Sequence, residues 1–254
     1  MSEPNPFLSS GSSSPAGSGS TGDARTVDAG QGWAWILSGF ELFKKQPGNW
    51  VVIAIILFAI MMVLAFIPIL GAIATFLLMP VFTGGLMLGC QSLARNGTLE
   101  INQLFAGFNT QTGNLVALGG ISIGAWIVIM LPVMAIVFFG AYFGASAGGA
   151  AGMGGMGASF VIAMLIVFGL SILIYMALWF APALVVLRGA APMAAIKQSF
   201  GACMKNIMPF LVYGLVVLVL SIVATIPFGL GWLVLGPVLA ASVYTAYQDI
   251  FGDA

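Results

Sequence analysis

Three long intervals without a charged residue constrain the fold of this chain more than any other feature. They hold 49 residues between Lys45 and Arg95, 87 between Glu100 and Arg188, and 43 between Lys205 and Asp249. A helix needs about 20 residues to cross roughly 30 Å of hydrocarbon, so each interval is long enough for two crossings. Soluble proteins average about 25% charged residues, whereas this chain has 6% charged and 61% hydrophobic residues. The sequence therefore predicts an all-α integral membrane protein.

Turn signals divide these intervals into six predicted transmembrane helices. Pro and Gly at 68–71 and 227–229 divide the first and third intervals, and a Gly/Ala/Met-rich stretch at 140–158 divides the second. We expect that stretch to be a mobile loop, because it has almost no large side chains after Phe143. The predicted helices span residues 50–68, 72–94, 114–139, 159–187, 208–226 and 229–247.

The chain divides into a tail and one membrane domain. Residues 1–30 are rich in Ser, Gly and Pro and nearly free of large apolar side chains. Such a stretch cannot bury enough apolar surface to offset the entropy lost on ordering, so we predict a disordered cytoplasmic tail. Residues 31–254 then form a single six-helix transmembrane domain.

Short amphipathic patterns lie next to the predicted membrane helices. Apolar residues recur at three- and four-residue spacing in 33–43, in 99–108 and in 193–203, with polar residues between them. Such helices lie in the headgroup region of a bilayer, where Trp and Lys are favoured. The candidate interfacial and lipid-facing residues are Trp33, Phe40, Lys44, Lys45, Lys197, Phe200 and Lys205.

The distribution of charge predicts the orientation. All seven Lys and Arg residues fall in the N-terminal region, in the connection after the second predicted helix or in the connection after the fourth. The three opposite connections carry no charge. By the positive-inside rule, six crossings place both termini in the cytoplasm and the protein in the bacterial inner membrane.

The sequence also contains a weak threefold repeat. Alignment of Phe40 with Phe200 without gaps pairs Lys45 with Lys205, Gln46 with Asn206 and Trp50 with Phe210. The central copy, around 106–115, fits only after shortening by a few residues. A proline recurs in the even-numbered helices, and the candidate helix-bending residues are Pro80, Pro182 and Pro237. We interpret the domain as three two-helix units. Repeats are common in transporters, although duplication also simply builds bundles.

The sequence lacks the residues of most catalytic and metal sites. It has no His, and Cys90 and Cys203 are its only cysteines, so we predict a non-enzymatic protein with no catalytic, cofactor-binding or metal-binding residue. Met153 and Met156 would make a poor Cu(I) site without His or Cys nearby. No ionisable side chain falls in the predicted membrane core, which argues against proton-coupled transport. The polar residues at depth are Thr75, Thr83, Ser122, Ser171, Tyr175, Tyr213, Ser221, Thr225, Ser242 and Tyr244.

Glycine pairs four residues apart occur at 85 and 89, at 120 and 124, and at 140 and 144. Pairs of this kind let helices approach one another closely, either within one bundle or between protomers.

Three segments resemble a family of uncharacterised proteobacterial multipass inner-membrane proteins. They are GWAW with FELF in 32–43, FAPAL with the downstream SF and Cys203 in 180–203, and SVYTAYQDIFG in 242–252. More distantly, the chain is similar to membrane domains of the glycerophosphoryl-diester-phosphodiesterase-associated type. The family commonly has Arg where this chain has Gln248, which puts a cationic role at that position in doubt. The resemblance implies a multipass topology and no particular activity.

Two functions remain open from sequence. The first is a non-enzymatic bundle in envelope maintenance that interacts with membrane lipids, with other inner-membrane proteins or with itself. Its lysines would meet anionic headgroups. The alternative is a carrier or channel for a neutral or lipidic solute, suggested by the repeats and prolines; a membrane subunit of an exporter is a third, minor reading. The formal net charge is zero, so we expect no nucleic-acid partner.

Overall fold

The computed structural model describes residues 24–95 and 97–252, with the backbone alone at 150 and 151. Every regular element in these ranges is helical. The predicted tail at 1–23 lies outside them. In chain order the helices are α1 (Gln31–Lys45), α2 (Pro47–Ala65), α3 (Leu70–Ala94), a 3₁₀ turn (Ile101–Phe105), α4 (Ala106–Asn109), α5 (Thr112–Ala147), α6 (Gly149–Leu178), α7 (Ala181–Arg188), α8 (Pro192–Lys205), α9 (Ile207–Thr225) and α10 (Trp232–Phe251).

Five stretches of the described chain are long and apolar enough to cross a membrane. They are Pro47–Ala65, Leu70–Ala94, Thr112–Ala147, Gly152–Arg188 and Ile207–Thr225. In a helix the backbone hydrogen bonds are satisfied within the segment, which a lipid environment requires. Large apolar side chains on these helices remain exposed, among them Phe58, Val128, Leu165 and Leu215, as expected for surfaces that face lipid.

The last helix, α10, differs from these five because half of its residues are buried in the protein. It packs against α1, α2, α3 and α9, and Ala241, Tyr247 and Ile250 are completely buried. Its polar residues gather in its second half, which ends at Phe251 instead of near 247 as predicted. The helix continues because its terminal carbonyl groups have partners: Arg25 donates to the Asp249 oxygen at 2.6 Å, and Arg188 donates to the Phe251 oxygen.

The short helices pack on the long helices of the bundle. Helix α1 packs on α10 and α9, the 3₁₀ turn and α4 pack on α3, and α8 packs on α6 and α7. Small residues permit this close approach. A side chain on Gly39 would meet the backbone of Ser242 at 2.7 Å, and one on Gly107 would meet the Val81 carbonyl oxygen at 2.1 Å.

The prediction of a loop at 140–158 is wrong, because almost the whole stretch is helical. Helix α5 continues to Ala147, and α6 begins at Gly149 after a turn at Gly148, which has a φ of 63°. The small residues that suggested a loop instead let the two helices pack closely. A side chain on Gly140 would clash with Ser159, and one on Gly152 would meet the Gly144 carbonyl oxygen at 2.1 Å.

The three predicted bending prolines do not share one role. Pro80 and Pro237 lie inside α3 and α10, whereas Pro182 lies in the first turn of α7, after a break at Trp179 and Phe180. Proline suits that turn because its missing N–H would have no helical partner there. The predicted helix at 159–187 is therefore the second half of α6 followed by α7. Pro132, inside α5, was not among the predicted residues.

The end of the predicted tail, residues 24–30, is docked on the domain. The Arg25 amide donates to the Ile250 oxygen at 2.8 Å, and the Val27 amide donates to Asn206 Oδ1 at 2.8 Å. The disorder predicted for this part of the tail is therefore wrong. Composition gave no sign of it, because the partners are a buried amide and a helix end more than 170 residues away.

Candidate functional site

The predicted interfacial residues lie on two differently exposed helices. On α1, Trp33 and Phe40 are exposed by 46% and 41%, whereas Trp35 is only 2% exposed because it faces α9 and α10. On α8, Phe200 is half-buried, and the buried face consists of the smaller residues Ala195, Ser199, Ala202 and Cys203. Both helices thus use one face for protein packing, and their contact with lipid stays a prediction.

The predicted headgroup lysines are mostly engaged with the protein. Lys45 donates to the Leu93 oxygen at 3.0 Å, and Lys205 donates to the Ala24 oxygen at 3.4 Å. Lys44 pairs with Glu41 at 2.7 Å and lies over the Phe40 ring. Lys197 is exposed. The two lysines aligned by the repeat therefore both bind main-chain oxygens, a role that sequence alone did not indicate.

Amide side chains fix extended segments at the junctions between short and membrane helices. Gln46 separates α1 from α2, and its Oε1 accepts the Leu99 amide at 2.8 Å. Asn206 separates α8 from α9, is 1% exposed, and accepts the Val27 amide in the same way. In the central copy of the predicted repeat, Gln111 precedes α5 and has a φ of 58°. The pairing of Gln46 with Asn206 in the sequence thus corresponds to two similar junctions.

An apolar groove with a volume of about 570 Å³ lies between α2 and α10. Exposed Phe58, Phe228 and Trp232 flank its opening toward the outer surface of the helices. Its lining contains no charged residue. The lining residues are Trp50, Ile53, Ala54, Leu57, Phe58, Met61, Leu86, Phe228, Gly229, Leu230, Trp232, Leu233, Gly236, Pro237 and Ala240.

A second cavity of about 340 Å³ lies beside this groove, deeper in the bundle. Leu57, Leu86 and Ala240 line both cavities, so the two spaces adjoin at these side chains. Helices α2, α3, α9 and α10 and the break after α6 contribute to the inner cavity. Its other lining residues are Met79, Phe82, Thr83, Met87, Trp179, Tyr213, Val217, Leu239 and Val243.

Each of these cavities is lined by one tryptophan whose indole N–H has no hydrogen-bond partner. These are Trp50 in the groove and Trp179 in the inner cavity, and both Nε1 atoms are buried. By contrast, Tyr213 is satisfied because its hydroxyl lies 2.8 Å from Ser242 Oγ. Buried donors are usually paired, so the two orphan N–H groups mark these walls as unusual.

Sequence reasoning placed Thr83, Tyr213 and Ser242 among the polar residues at depth but gave no reason to bring them together. It used Trp50 only as a position in the repeat and did not single out Trp179. A weak signal was present for Trp50, which follows Asn49 at the start of an apolar run. The convergence of Trp50 and Trp179 on adjoining cavities depends on how segments far apart in the chain pack.

A third cavity, which is polar and has a volume of about 370 Å³, lies between α1 and the end of α10. Trp35 Nε1 donates to Asp249 Oδ2 at 2.9 Å on its wall. Gln31, Ser38 and Thr245 contribute further polar groups. The carboxylate of Asp249 thus serves the packing of α1 on α10.

The thiols have no reactive surroundings. Cys90 and Cys203 are both buried and free, and burial raises the pKa of Cys203, on α8, to about 12. A thiol with so high a pKa is almost wholly protonated at neutral pH, and the thiolate is the nucleophilic form. Residues 24–95 and 97–252 contain no cluster of three His, Cys, Asp or Glu side chains that could hold a metal ion.

Long apolar helices with exposed side chains, together with a lateral apolar groove, define a multi-span integral membrane protein. The chain is 30% identical over 238 residues to a probable inner membrane protein of Burkholderia thailandensis, a match that covers 86% of this chain and 82% of that protein. The chain belongs to the same family of inner-membrane proteins. No family model matches it, and no solved structure matches it.

Proposed function

We propose that this protein binds membrane lipid, with one lipid chain lying in the groove between α2 and α10. The observation that carries the proposal is the charge-free lateral opening flanked by Phe58, Phe228 and Trp232. An apolar pocket of several hundred cubic ångströms suits an apolar ligand. A groove that opens on the lipid-facing side of a bundle receives that ligand directly from the bilayer.

The dimensions of the groove match one leaflet. Along α2 it is lined from Trp50 to Met61, a span of about 16 Å at 1.5 Å per residue. This is roughly half of the 30 Å hydrocarbon thickness. A single chain from one leaflet therefore fits along the groove. The distant similarity of the sequence to phosphodiesterase-associated membrane domains, itself a proposal, agrees with a lipid ligand.

The proposed role in envelope maintenance is non-enzymatic. Neither the buried thiols nor the groove supply a nucleophile with a neighbouring base. Of the lysines, Lys197 and Lys44 are the ones whose exposure suits contact with anionic headgroups, because Lys45 and Lys205 donate to main-chain oxygens. Other inner-membrane proteins or a second copy of the chain are further partners that we propose. We propose no contact with nucleic acid.

Filling the groove tests this proposal. Gly236 lines the groove, and a side chain built on it meets no atom within 4 Å. Gly236→Phe should place a ring in the groove and reduce the lipid retained in native mass spectrometry by several-fold. Gly214→Phe on α9 is the matched control, because Gly214 also has open space around it and lies outside both cavities. Equal lipid retention by both variants would overturn the proposal.

The second cavity favours one alternative, a carrier for a lipidic solute. Leu57, Leu86 and Ala240 line both the groove and the inner cavity, and we propose that a rotamer change at Leu57 or Leu86 joins the two spaces. Reconstitution in vesicles with a fluorescent lipid in one leaflet measures movement between leaflets. Faster movement that Gly236→Phe abolishes would support the carrier; a rate equal to that of empty vesicles would support lipid binding alone.

For the topology we propose six crossings, with α10 as the sixth, and both termini in the cytoplasm. The charge-free turns after α2 and α9 support this arrangement. We also propose three repeated units, because α1 packs on α10, α4 on α3 and α8 on α6, a cyclic order in which each short helix contacts the preceding unit. Green fluorescent protein fused after Ala254 should fluoresce, and alkaline phosphatase fused there should be inactive. The reverse result would contradict either the sixth crossing or the proposed cytoplasmic position of the termini.

A further inference from the structure

We propose that the outer hairpin, residues 128–165 of α5 and α6, is the surface through which two copies of the chain associate. This inference specifies a surface for one of the partners proposed above, and it does not depend on the lipid groove. Four observations carry it: the length of the hairpin, its separation from the rest of the core, an apolar stripe along α5, and the area of its exposed aromatic rings.

The hairpin is too long for one bilayer. Helix α5 has 36 residues, whereas α2 and α9 each have 19. At 1.5 Å per residue, these lengths are about 54 Å and about 28 Å. The hydrocarbon core is about 30 Å thick, and at the average tilt of about 20° α5 still has a height of about 51 Å. Part of α5 therefore extends about 20 Å beyond the hydrocarbon.

The part that extends is the outer hairpin, because the beginning of α5 is held in the bundle. Leu118 is completely buried, and a side chain on Gly119 would meet the Cα atom of Leu77 on α3 at 2.6 Å. Farther along α5, a separate buried cluster forms around Ile129 and Ala163 and contains residues of α5 and α6 alone. The other helices thus contribute no side chain to the core of the outer hairpin.

Large side chains exposed by 62–70% form a stripe on the outer part of α5. They recur at spacings of three and four residues, and they are Val128, Leu131, Met134, Phe138 and Tyr142. The stripe lies on the side of α5 opposite Ile129 and Val133, which pack toward α6. An apolar stripe with this spacing is the kind of surface that packs against another helix.

The exposed aromatic area is close to what a stable interface needs. Phe139 and Phe143 lie beside the stripe, and their rings contact Phe138 and Tyr142 at centroid distances of 5.7 Å and 5.5 Å. These four rings are exposed by 55–66%. A fully buried aromatic side chain covers about 150–250 Å², so the four rings offer about 400–600 Å². With the rest of the stripe, this approaches the roughly 800 Å² that each partner contributes to a standard interface.

A second copy of the chain matches this surface in chemistry and in height. No residue between Glu100 and Arg188 is charged, so the stripe complements another uncharged apolar face. Two copies inserted in the same direction carry the outer hairpin at the same height above the membrane. A two-fold axis along the membrane normal would bring the same patch of both copies together. In that dimer the Phe138 side chains of the two copies lie near the axis.

Cysteine cross-linking in native membranes tests the surface. Under mild oxidation with copper phenanthroline, the full chain with Phe138→Cys should form a disulfide-linked dimer on a non-reducing gel. Val161→Cys is the matched control: Ser159 lies against Gly140, so Val161 has about the same height, and it is exposed by 55% on the side of α6 away from α5. The native thiols are buried. We expect the dimer band of Phe138→Cys to be several-fold stronger than that of Val161→Cys.

Glutamate variants at the same two positions give a second, independent measurement. Phe138→Glu would bury an unpaired carboxylate in the interface, so it should raise the dissociation constant of the dimer by about tenfold or more in native mass spectrometry. Val161→Glu should leave that constant unchanged. In detergent dilute enough to dissociate the dimer, both variants should melt at the temperature of the unsubstituted protein, because both positions are exposed within one copy. If a glutamate variant does not fold, the cysteine pair carries the test.

The outcomes distinguish the possible occupants of the stripe. Equal cross-linking at both positions, or equal weakening by both glutamates, would show that the stripe is not the interface. A protein that stays monomeric in both experiments would leave lipid as the cover of the stripe and overturn the proposal. A cross-link from Phe138→Cys to a different membrane protein, without a dimer of this chain, would also overturn it. None of these results bears on lipid retention by the groove, which Gly236→Phe tests.

Discussion

The region around α1 and α10 and the hairpin of α5 and α6 are both wholly helical, yet they are stabilised differently. In the first region, aromatic and amide side chains are buried in one continuous core that includes Trp35, Tyr213 and Tyr247. In the hairpin, a separate small cluster forms around Ile129, Val133 and Ala163. Most large side chains there are exposed, including Phe138 at 66%.

The difference indicates where packing specificity resides. The α1–α10 region combines close backbone approach, ring contacts and buried hydrogen bonds, and each of these requires one particular side chain. The hairpin depends on small residues at its contact face and on apolar residues that lipid can cover. We therefore expect substitutions to be costly in the first region and tolerated in the second, and the following experiments test that contrast in order of decreasing effect.

Trp35→Ala should have the largest effect. The Trp35 ring contacts Phe210 at a centroid distance of 5.4 Å, and its N–H donates to Asp249. Loss of these contacts should lower the free energy of unfolding by about 3–5 kcal/mol. Phe138→Ala in the hairpin should change it by less than about 0.5 kcal/mol. Reversible unfolding in mixed micelles measures both, and equal losses would contradict the contrast.

Gly39→Ala should have the next largest effect. Its new methyl group would lie 2.7 Å from the Ser242 amide nitrogen and the Val238 oxygen, so α1 must move away from α10. We expect a loss of about 1–3 kcal/mol in the free energy of unfolding. Gly124→Ala on α5 meets no atom within 4 Å and should be neutral or slightly stabilising. Comparable melting temperatures for the two variants would contradict close packing of α1.

Asn206→Ala should loosen the N-terminal segment at a cost of about 1–2 kcal/mol. It removes the acceptor of the Val27 amide and the donor to the Arg25 oxygen. The measurement is trypsin cleavage after Arg25, which should accelerate as the segment detaches. Exposed Asn102 provides the control Asn102→Ala. Unchanged cleavage in Asn206→Ala would mean that other bonds, such as that of Arg25 to Ile250, suffice.

Thiol labelling should separate the two regions with little effect on stability. Burial raises the pKa of Cys203 to about 12, so the thiolate fraction stays very small from pH 7 to pH 9 and maleimide should not react in the folded protein. A cysteine placed in the hairpin by Ser146→Cys is exposed and should react readily, faster as the pH rises. Rapid labelling of native Cys203 at pH 7 would show that α8 detaches.

The three glycine pairs show how much of the helix packing a sequence pattern can predict. Of the three pairs, Gly85 and Gly89 lie against residues 99–104, and Gly140 and Gly144 lie against α6. Gly120 and Gly124 have open space around them. The spacing correctly predicts a small-residue face on a helix. It cannot specify whether a neighbour occupies that face, because the neighbour comes from another part of the chain.

The sequence by itself determined the membrane class and the helical content, because charge and hydropathy act locally on each segment. It could not determine that 140–158 is helical, since a Gly-rich stretch gains its helicity from an antiparallel partner. Nor could it place Trp50 and Trp179 beside adjoining cavities. That arrangement, and the docking of Val27 on Asn206, join segments far apart in the chain, so only tertiary packing decided them.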